Sequence, residues 1–504
     1  MFAGAHSVIT QTATFPLKIP ARPHIDFFSN YCFFGRSTNQ WETQSAMGDK
    51  NEKNSGAGNS DLDPLLSLLS ETESTQTKNA GNTSSTGSLT INAAAPSPLT
   101  ESANSSLRQR RIPKWFKITL AAVVIVMLVP LVSFGKAMAT PSNLSLIERG
   151  AEWMRDNGMG DVLNSIEGWH LLRNQPEAGG EPDREIGTIS TPTTSVDTTA
   201  PHLPKPANVA VPFGVTPLEN EGVWQQIGPT VGGAATMYTT QVRPDSVRTR
   251  LLAGLTWIDP KTASFEQFPG TEEPGGRWNK PSQVPLDRRL DLIAAFNSGF
   301  RMQDARGGYY DDGVMHKPLR DGAASFVILA DGTASVGVWG RDFTMNPTIR
   351  TVRQNLDLIV DNGGGLPAPV SPLSRTTQTG AAPGQLVPGL SDNSDGAWGA
   401  TFGNKILAWR SAVGVTATGG IVYGYGDGLG ALSLADLMLR AGCVRAMELD
   451  INTVWTTFNF YQPTTPGDPA SVAGTKLLPE SFKGANRYLS PDARDFVAVF
   501  KRTY

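Results

Sequence analysis

Two carboxylates two residues apart, Glu448 and Asp450, lie in the stretch Cys443 to Asn452, Cys-Val-Arg-Ala-Met-Glu-Leu-Asp-Ile-Asn. In an extended chain the side chains alternate. Glu448, Asp450 and Asn452 then share one face, and Met447, Leu449 and Ile451 the other. Same-face neighbours are about 6.6 Å apart along a strand. That lies between the short and long carboxylate separations used in the two geometries of glycoside hydrolysis, so the spacing alone does not choose between them. The pattern fits either a polar site at a strand end or a solvated edge strand. The apolar neighbours Ala446, Met447, Leu449 and Ile451 favour a strand inside the sheet.

Three further groups carry chemistry-bearing side chains. Ala294 to Phe300 is an apolar run ending in Asn297-Ser298-Gly299, where an amide is presented and backbone can approach a ligand closely. His316-Lys317-Pro318-Leu319-Arg320-Asp321-Gly322 offers an anion-binding Arg320 or Lys317 and a proton donor in His316, with a solvated surface turn as the plain alternative. Arg410 stands between the apolar runs Ala408-Trp409 and Ala412-Val413, where a guanidinium is costly to bury unless paired or bound to an anion. Gly426-Asp427-Gly428-Leu429-Gly430-Ala431 imitates a dinucleotide-binding fingerprint. The hairpins around it and the expected compartment speak against a nicotinamide cofactor. No cofactor is expected. The acidic side chains could hold a divalent ion, but no spacing demands one.

Strands must position most of these residues. Thr236–Val242 and Leu251–Trp257 read as a pair joined through Pro244 and Asp245. Ser325–Leu329, a turn at Asp331-Gly332, and Ala334–Trp339 read as a hairpin. Ile406–Trp409, Val413–Thr416 and Ile421–Tyr425 continue the pattern. Helices are few: a short one at most near Arg288–Asp291, and Ser433–Ala441, with Ser433 as N-cap, Asp436 at the capping-box position and Gly442 as stop. The fold class expected is α+β, a strand-rich mixed sheet with few helices, occupying residues 209–504.

The preceding residues divide by composition. Residues 1–110 form the expected disordered cytoplasmic tail; between 44 and 110 they are rich in Ser, Thr, Asn, Gly and Gln and too poor in apolar groups to offset ordering entropy. An aromatic cluster around Cys32 has no assignment. Ile118 to Phe134 carries no charge and, with its flanks, predicts a transmembrane helix over 115–136. Arg108, Arg110, Arg111, Lys114 and Lys117 precede it and only Lys136 and Arg149 follow closely, so the N-terminus is expected in the cytoplasm and the C-terminal domain outside. Cys32 and Cys443 then lie on opposite sides of the membrane and cannot bridge within one chain. Residues 140–173 predict two short amphipathic helices, and 174–208 an extended Pro/Thr-rich linker. A formal net charge of -3 with no basic domain argues against a nucleic-acid partner.

Four blocks together resemble the phosphodiester glycosidase domain family: Phe296-Asn297-Ser298-Gly299-Phe300, Arg320-Asp321-Gly322, Arg410-Ser411-Ala412-Val413-Gly414, and Ala446-Met447-Glu448-Leu449-Asp450 after a helix. They occur in the family's order and span roughly residues 220–465. The resemblance implies hydrolysis of a sugar-1-phosphodiester, with a carbohydrate or phosphoglycan of the cell envelope as substrate and Asn297, Arg410 and Asp450 as site positions. Glu448 joins them from the strand face, and His316, Arg320, Asp321 and Asn452 complete the expected substrate contacts. The family commonly has glycines after its Asn and its Asp, where this chain has Ser298 after Asn297, and Ile451 and Asn452 after Asp450. Those differences leave open a non-catalytic glycan-binding module of the same fold.

Overall fold

The computed structural model describes residues 113–139, 144–188, 200–365, 378–393, 396–399 and 407–504. The tail 1–110, the linker residues 189–199 and Ile406 lie outside them. The main domain is built of antiparallel sheets. The largest has eight strands, in the order Gln225–Val231, Ala234–Val242, Ala253–Ile258, Ile421–Leu429, Ala408–Thr416, Cys443–Glu448, Leu358–Asp361 and Gln385–Leu386. A five-stranded sheet runs Val314–Lys317, Tyr309–Asp311, Ile349–Gln354, Ala324–Leu329, Ala334–Val338. A second five-stranded sheet runs Val472–Lys476, Phe458–Pro463, Leu292–Asn297, Phe496–Lys501, Ala263–Phe268. Few helices accompany them, in keeping with an α+β class, but the ladders are not mixed: the paired strands are antiparallel, and Trp339 with Phe343 forms an isolated parallel bridge.

The three sheets close on one apolar core. Met237, Val413, Tyr423 and Met447 of the large sheet meet Phe265, Phe296, Phe458 and Val499 of one smaller sheet, and Phe326 and Val336 of the other. The outer face of the large sheet is covered by helix Ala431–Arg440, whose Leu434, Ala435, Leu437 and Met438 pack on Leu255, Trp257 and Val422. Apolar residues at i, i+3 and i+4 put these side chains on one helix face. Cys443 packs there as a small buried hydrophobe, and burial pushes its thiol up.

Several local expectations meet a definite geometry. The Asp331-Gly332 turn joins Ala324–Leu329 to Ala334–Val338, and Gly332 takes a φ of 79°, which glycine adopts without Cβ strain. Ser433 is not the N-cap. Gly430 is, and Ser433 sits at the third helical position, where its hydroxyl accepts from the Gly430 N–H. The strand from Ile421 runs to Leu429, so Gly426 and Gly428 of the dinucleotide-like motif belong to a strand and Gly430 caps the helix. Near Arg288 the chain forms a 3-10 turn, Leu286–Arg288, not a helix of several turns. Ile421–Leu429 and Cys443–Glu448 flank the helix in sequence, yet Ala408–Thr416 lies between them in the sheet.

Ahead of the domain run helices α1 (Lys114–Ala139), α2 (Leu146–Asp156) and α3 (Gly160–Arg173). Helix α1 covers the expected membrane segment over 26 residues. The side chains at 120, 121 and 123–127 lie outside the description, and among the described residues no helix is long and apolar enough to cross a membrane. Helix α2 starts with a capping box: the Glu148 N–H donates to Ser145 Oγ, and Glu148 Oε2 accepts from the Ser145 N–H at 2.7 Å. It packs on the end of α1 through Phe134 and Trp153, whose rings meet edge to face at 5.1 Å.

Candidate active site

Strand register explains how the first pair of charges meets. Ala412 lies opposite Glu448, so Arg410, two residues on, is the diagonal neighbour on the same face. Arg410 Nη1 donates to Glu448 Oε1 at 2.7 Å, Nε to the Leu429 carbonyl at 2.9 Å, and Nη1 also to the Trp398 carbonyl at 3.3 Å. Neither side chain is exposed at all. Glu448 Oε2 has no hydrogen-bond partner among the described residues. Burial pushes the Glu448 carboxyl up to about 7, the Arg410 charge pulls it back, and the Asp450 charge adds to the rise. Arg410 thus spends its guanidinium inside the chain, beneath the site.

Asp450 lies just past the end of the strand. Its carbonyl accepts from the Ser411 N–H at 2.9 Å, which continues the ladder for one more step. Its side chain turns elsewhere. Asp450 Oδ1 accepts from the Asn452 N–H at 3.0 Å, and Oδ2 lies 3.5 Å from Arg494 Nη2. Only 3% of Asp450 is exposed. Burial pushes its carboxyl up to about 6, against the pull of Arg494 and the backbone N–H groups of Asn452 and Ile451. A carboxylate titrating there is ionised at neutral pH yet basic enough to take a proton. Asn452 shapes this turn: its Oδ1 accepts from the Val454 N–H and its carbonyl from Trp455.

Asn297 ends the strand Leu292–Asn297 and is brought beside Asp450 through Ser411. Its Nδ2 donates to Ser411 Oγ at 3.0 Å and to the Ser298 carbonyl at 2.8 Å. Its Oδ1 accepts from Tyr423 Oη at 2.6 Å and the Thr457 N–H at 3.1 Å. Every polar atom of this amide is engaged within the chain, so Asn297 ties three strands together below the site. Replacing it by Ala leaves a buried N–H at Thr457 unsatisfied and costs about 2–3 kcal/mol of stability. Urea unfolding of Asn297→Ala followed by tryptophan fluorescence measures that loss.

Gly299 has a packing role. A Cβ there would stand 2.8 Å from the side chain of Asn355, whose Nδ2 donates to the carbonyls of Glu448 and Leu449 at 2.9 and 3.0 Å and whose Oδ1 accepts from the Phe300 N–H. Asn355 therefore pins the carboxylate strand to the Asn297 loop.

His316, Arg320 and Asp321 belong to a different neighbourhood. His316 is exposed on the edge strand Val314–Lys317 and meets the Trp278 ring at 5.7 Å. Arg320 donates to the Arg306 carbonyl and pairs with Asp357 at 3.2 Å at the surface. No hydrogen bond or ion pair among the described residues joins any of the three to Glu448 or Asp450. Arg494 faces Asp450 and lies outside all four motif blocks. It comes from Pro491-Asp492-Ala493-Arg494-Asp495, just before the buried strand Phe496–Lys501, which pairs with Leu292–Asn297 and so delivers Arg494 to the same end of the sheets. A charged cluster directly before an apolar strand is the signal in the sequence that points to it. Arg353 and Asp495 form a further buried pair at 2.9 Å in this layer. Among the described residues no group of three or more His, Cys, Asp or Glu is placed to hold a metal ion.

Comparison with known proteins finds no matching family model and no matching curated protein. Solved structures give loose likenesses. The catalytic domain of zebrafish N-acetylglucosamine-1-phosphodiester alpha-N-acetylglucosaminidase, auto-inhibited by its pro-peptide, matches at 15% identity and a TM-score of 0.33, covering 58% of this chain and 87% of that one. A hypothetical protein from Synechocystis matches at 12% and 0.24, covering 55% and 62%. A protein described as exported from Burkholderia pseudomallei matches at 13% and 0.28, covering 50% and 74%. Likeness of this degree is a weak resemblance in fold and leaves the chemistry to the site itself.

Proposed function

We propose that this chain is a hydrolase of a phosphate-linked sugar, held at a membrane by α1 with the domain of residues 209–504 outside the cytoplasm. The observation that carries the reading is Asp450: a nearly buried carboxylate, raised to about 6, beside a second carboxylate and facing a guanidinium. Asp450 acts as the base for the attacking water or steadies the positive charge that grows at the anomeric carbon. Arg494 offsets the charge left on the departing phosphate, which needs little protonation to leave. Arg410 positions Glu448 and is not itself in contact with substrate. The test is release of free sugar from a synthetic sugar-1-phosphodiester by the purified full chain in detergent. Release that is absent from Asp450→Asn supports the reading; no release from a panel of such diesters removes it. The non-catalytic alternative draws on Ile451 and Asn452, which stand after Asp450 with side chains where backbone alone would give a ligand more room. Retention on envelope glycan without any sugar release would decide for it.

A further inference from the structure

The domain does not hang from α1 on a free tether. Trp153 of α2 donates through Nε1 to Ser133 Oγ of α1 at 3.1 Å, and Arg149 Nη1 donates to the Met138 carbonyl at 2.6 Å. Helix α2 therefore lies back along the last turns of α1. Beside Trp153, Glu152 pairs with Arg301 of the domain at 3.2 Å, and Asp156 pairs with the same guanidinium. The far end of α3 is held as well. Gln175 donates to the Leu407 carbonyl at 3.2 Å and accepts from the Leu407 N–H at 2.9 Å, just ahead of the strand Ala408–Thr416 that carries Arg410.

These contacts fix a height. The 26 residues of α1 span about 39 Å, more than the roughly 30 Å of bilayer hydrocarbon. Ile118 to Gly135 carries no charge, and Lys136 follows. With α1 across a bilayer, Ser133 to Met138 lie at the outer headgroups, and Arg301 is level with them. Leu144, five residues past Ala139, packs on Trp455 and Ala493. Chain length alone keeps Leu144 within about 18 Å of the end of α1. Arg494 stands 5.0 Å from the Trp455 ring centre and 3.5 Å from Asp450. Leu144, Trp455, Arg494 and Asp450 thus form one chain of contacts. Apolar groups are exposed along the same seam. Phe482 is exposed, and the neighbouring Lys483 Nζ stands 6.0 Å from its ring centre and 5.4 Å from that of Trp455. On α3, Val162, Ile166, Trp169 and Leu172 are exposed along one stripe, with Arg173 stacked over Trp169 at 5.3 Å. An outward apolar stripe ending in Trp and Arg, beside a membrane anchor, is the pattern of a helix that lies in the lipid interface.

We infer that the Asp450 site works at the level of the outer headgroups and that its substrate is itself a lipid: a sugar joined through a phosphodiester to a long-chain lipid of the same membrane. The inference deepens the hydrolase reading and rests on it and on anchoring by α1. The water oxygen joins the anomeric carbon and its proton goes to Asp450. The electron pair of the broken carbon–oxygen bond stays with the phosphate. The sugar leaves into water, and the lipid phosphate monoester stays in the bilayer. A short, fixed distance from anchor to site suits a phosphate that lies at headgroup depth, whereas a soluble glycan calls for no such distance.

The experiment uses the full chain reconstituted into phosphatidylcholine vesicles. Two synthetic diesters of one sugar are compared, one on a long-chain lipid in the same vesicles and one on a short soluble alcohol. Sharing the membrane raises the effective concentration of the first, so at equal bulk concentration its sugar is expected to be released about 10²-fold faster. A second readout does not depend on turnover. In a Cys32→Ser chain, a fluorophore on Phe482→Cys is expected to be quenched by lipids carrying a headgroup nitroxide, and one on Ala330→Cys is not. Ala330 is exposed at the other end of the sheets, where Arg502, past the strand Phe496–Lys501, reaches the Asp331 carbonyl. Cys443 is buried and stays unlabelled. Equal release from the two diesters, or equal quenching at the two positions, overturns the inference and leaves the hydrolase reading standing. Release from neither diester removes the hydrolase reading and the substrate named here with it, while quenching confined to Phe482→Cys keeps the site at the lipid surface.

Discussion

Arg410→Ala is expected to unfold at markedly lower denaturant than the parent chain, by about 3–5 kcal/mol of stability, because removing one partner of a buried pair strands the other charge. Glu448 would be stranded at zero exposure, with Oε2 already lacking a partner. The pH dependence has a definite sign. Loss of Arg410 removes the charge that pulls the Glu448 carboxyl down, so it rises further above its ordinary 4.5. A raised carboxyl contributes stability that is present below the unfolded value and lost as pH rises through the folded one. The deficit is therefore larger at pH 8 than at pH 5. The double variant Arg410→Met, Glu448→Leu should recover most of the loss, since well-packed apolar replacements of buried pairs are often neutral. Urea titrations at the two pH values measure all of this. An Arg410→Ala chain as stable as its parent would mean that the pair is not closed in solution.

Asp450→Asn is expected to lower turnover by about 10²–10⁴-fold, the range that a positioned general base supplies. The amide still accepts from the Asn452 N–H, so the turn after the strand is kept. Stability should hold at pH 8 or rise, because the parent pays there for ionising a carboxyl raised to about 6 by burial. Sites that trade stability for chemistry behave in this way. An equal fall in stability and activity would instead make Asp450 a structural residue.

Much of the scaffold was legible from local pattern. The pairs Ala234–Val242 with Ala253–Ile258, and Ala324–Leu329 with Ala334–Val338, follow from alternating apolar residues and turn residues that lie close in sequence. The strand carrying Glu448 was legible for the same reason. What joins Arg410 to Glu448 was not, because it depends on register between strands far apart in the chain. A guanidinium between apolar runs reads equally as a ligand contact or as half of a buried pair, and only the diagonal position of Glu448 decides. Asn297 shows the same ambiguity: an Asn at a strand end can present its amide or spend it, and the neighbours Tyr423, Ser411 and Thr457 spend it. Arg494 and Lys483 lie past the four motif blocks, and their meeting at Trp455 is tertiary and leaves no short-range trace.

The most direct test of the account is the pH dependence of kcat/KM for release of sugar from a sugar-1-phosphodiester by the full chain. With Asp450 as base the rate is level at neutral pH and falls tenfold per pH unit below about 6, where its carboxyl takes up a proton. Asp450→Asn should erase that limb along with most of the activity. A profile level down to pH 4, or one whose acid limb persists in Asp450→Asn, would contradict the assignment of Asp450 as the reacting carboxylate.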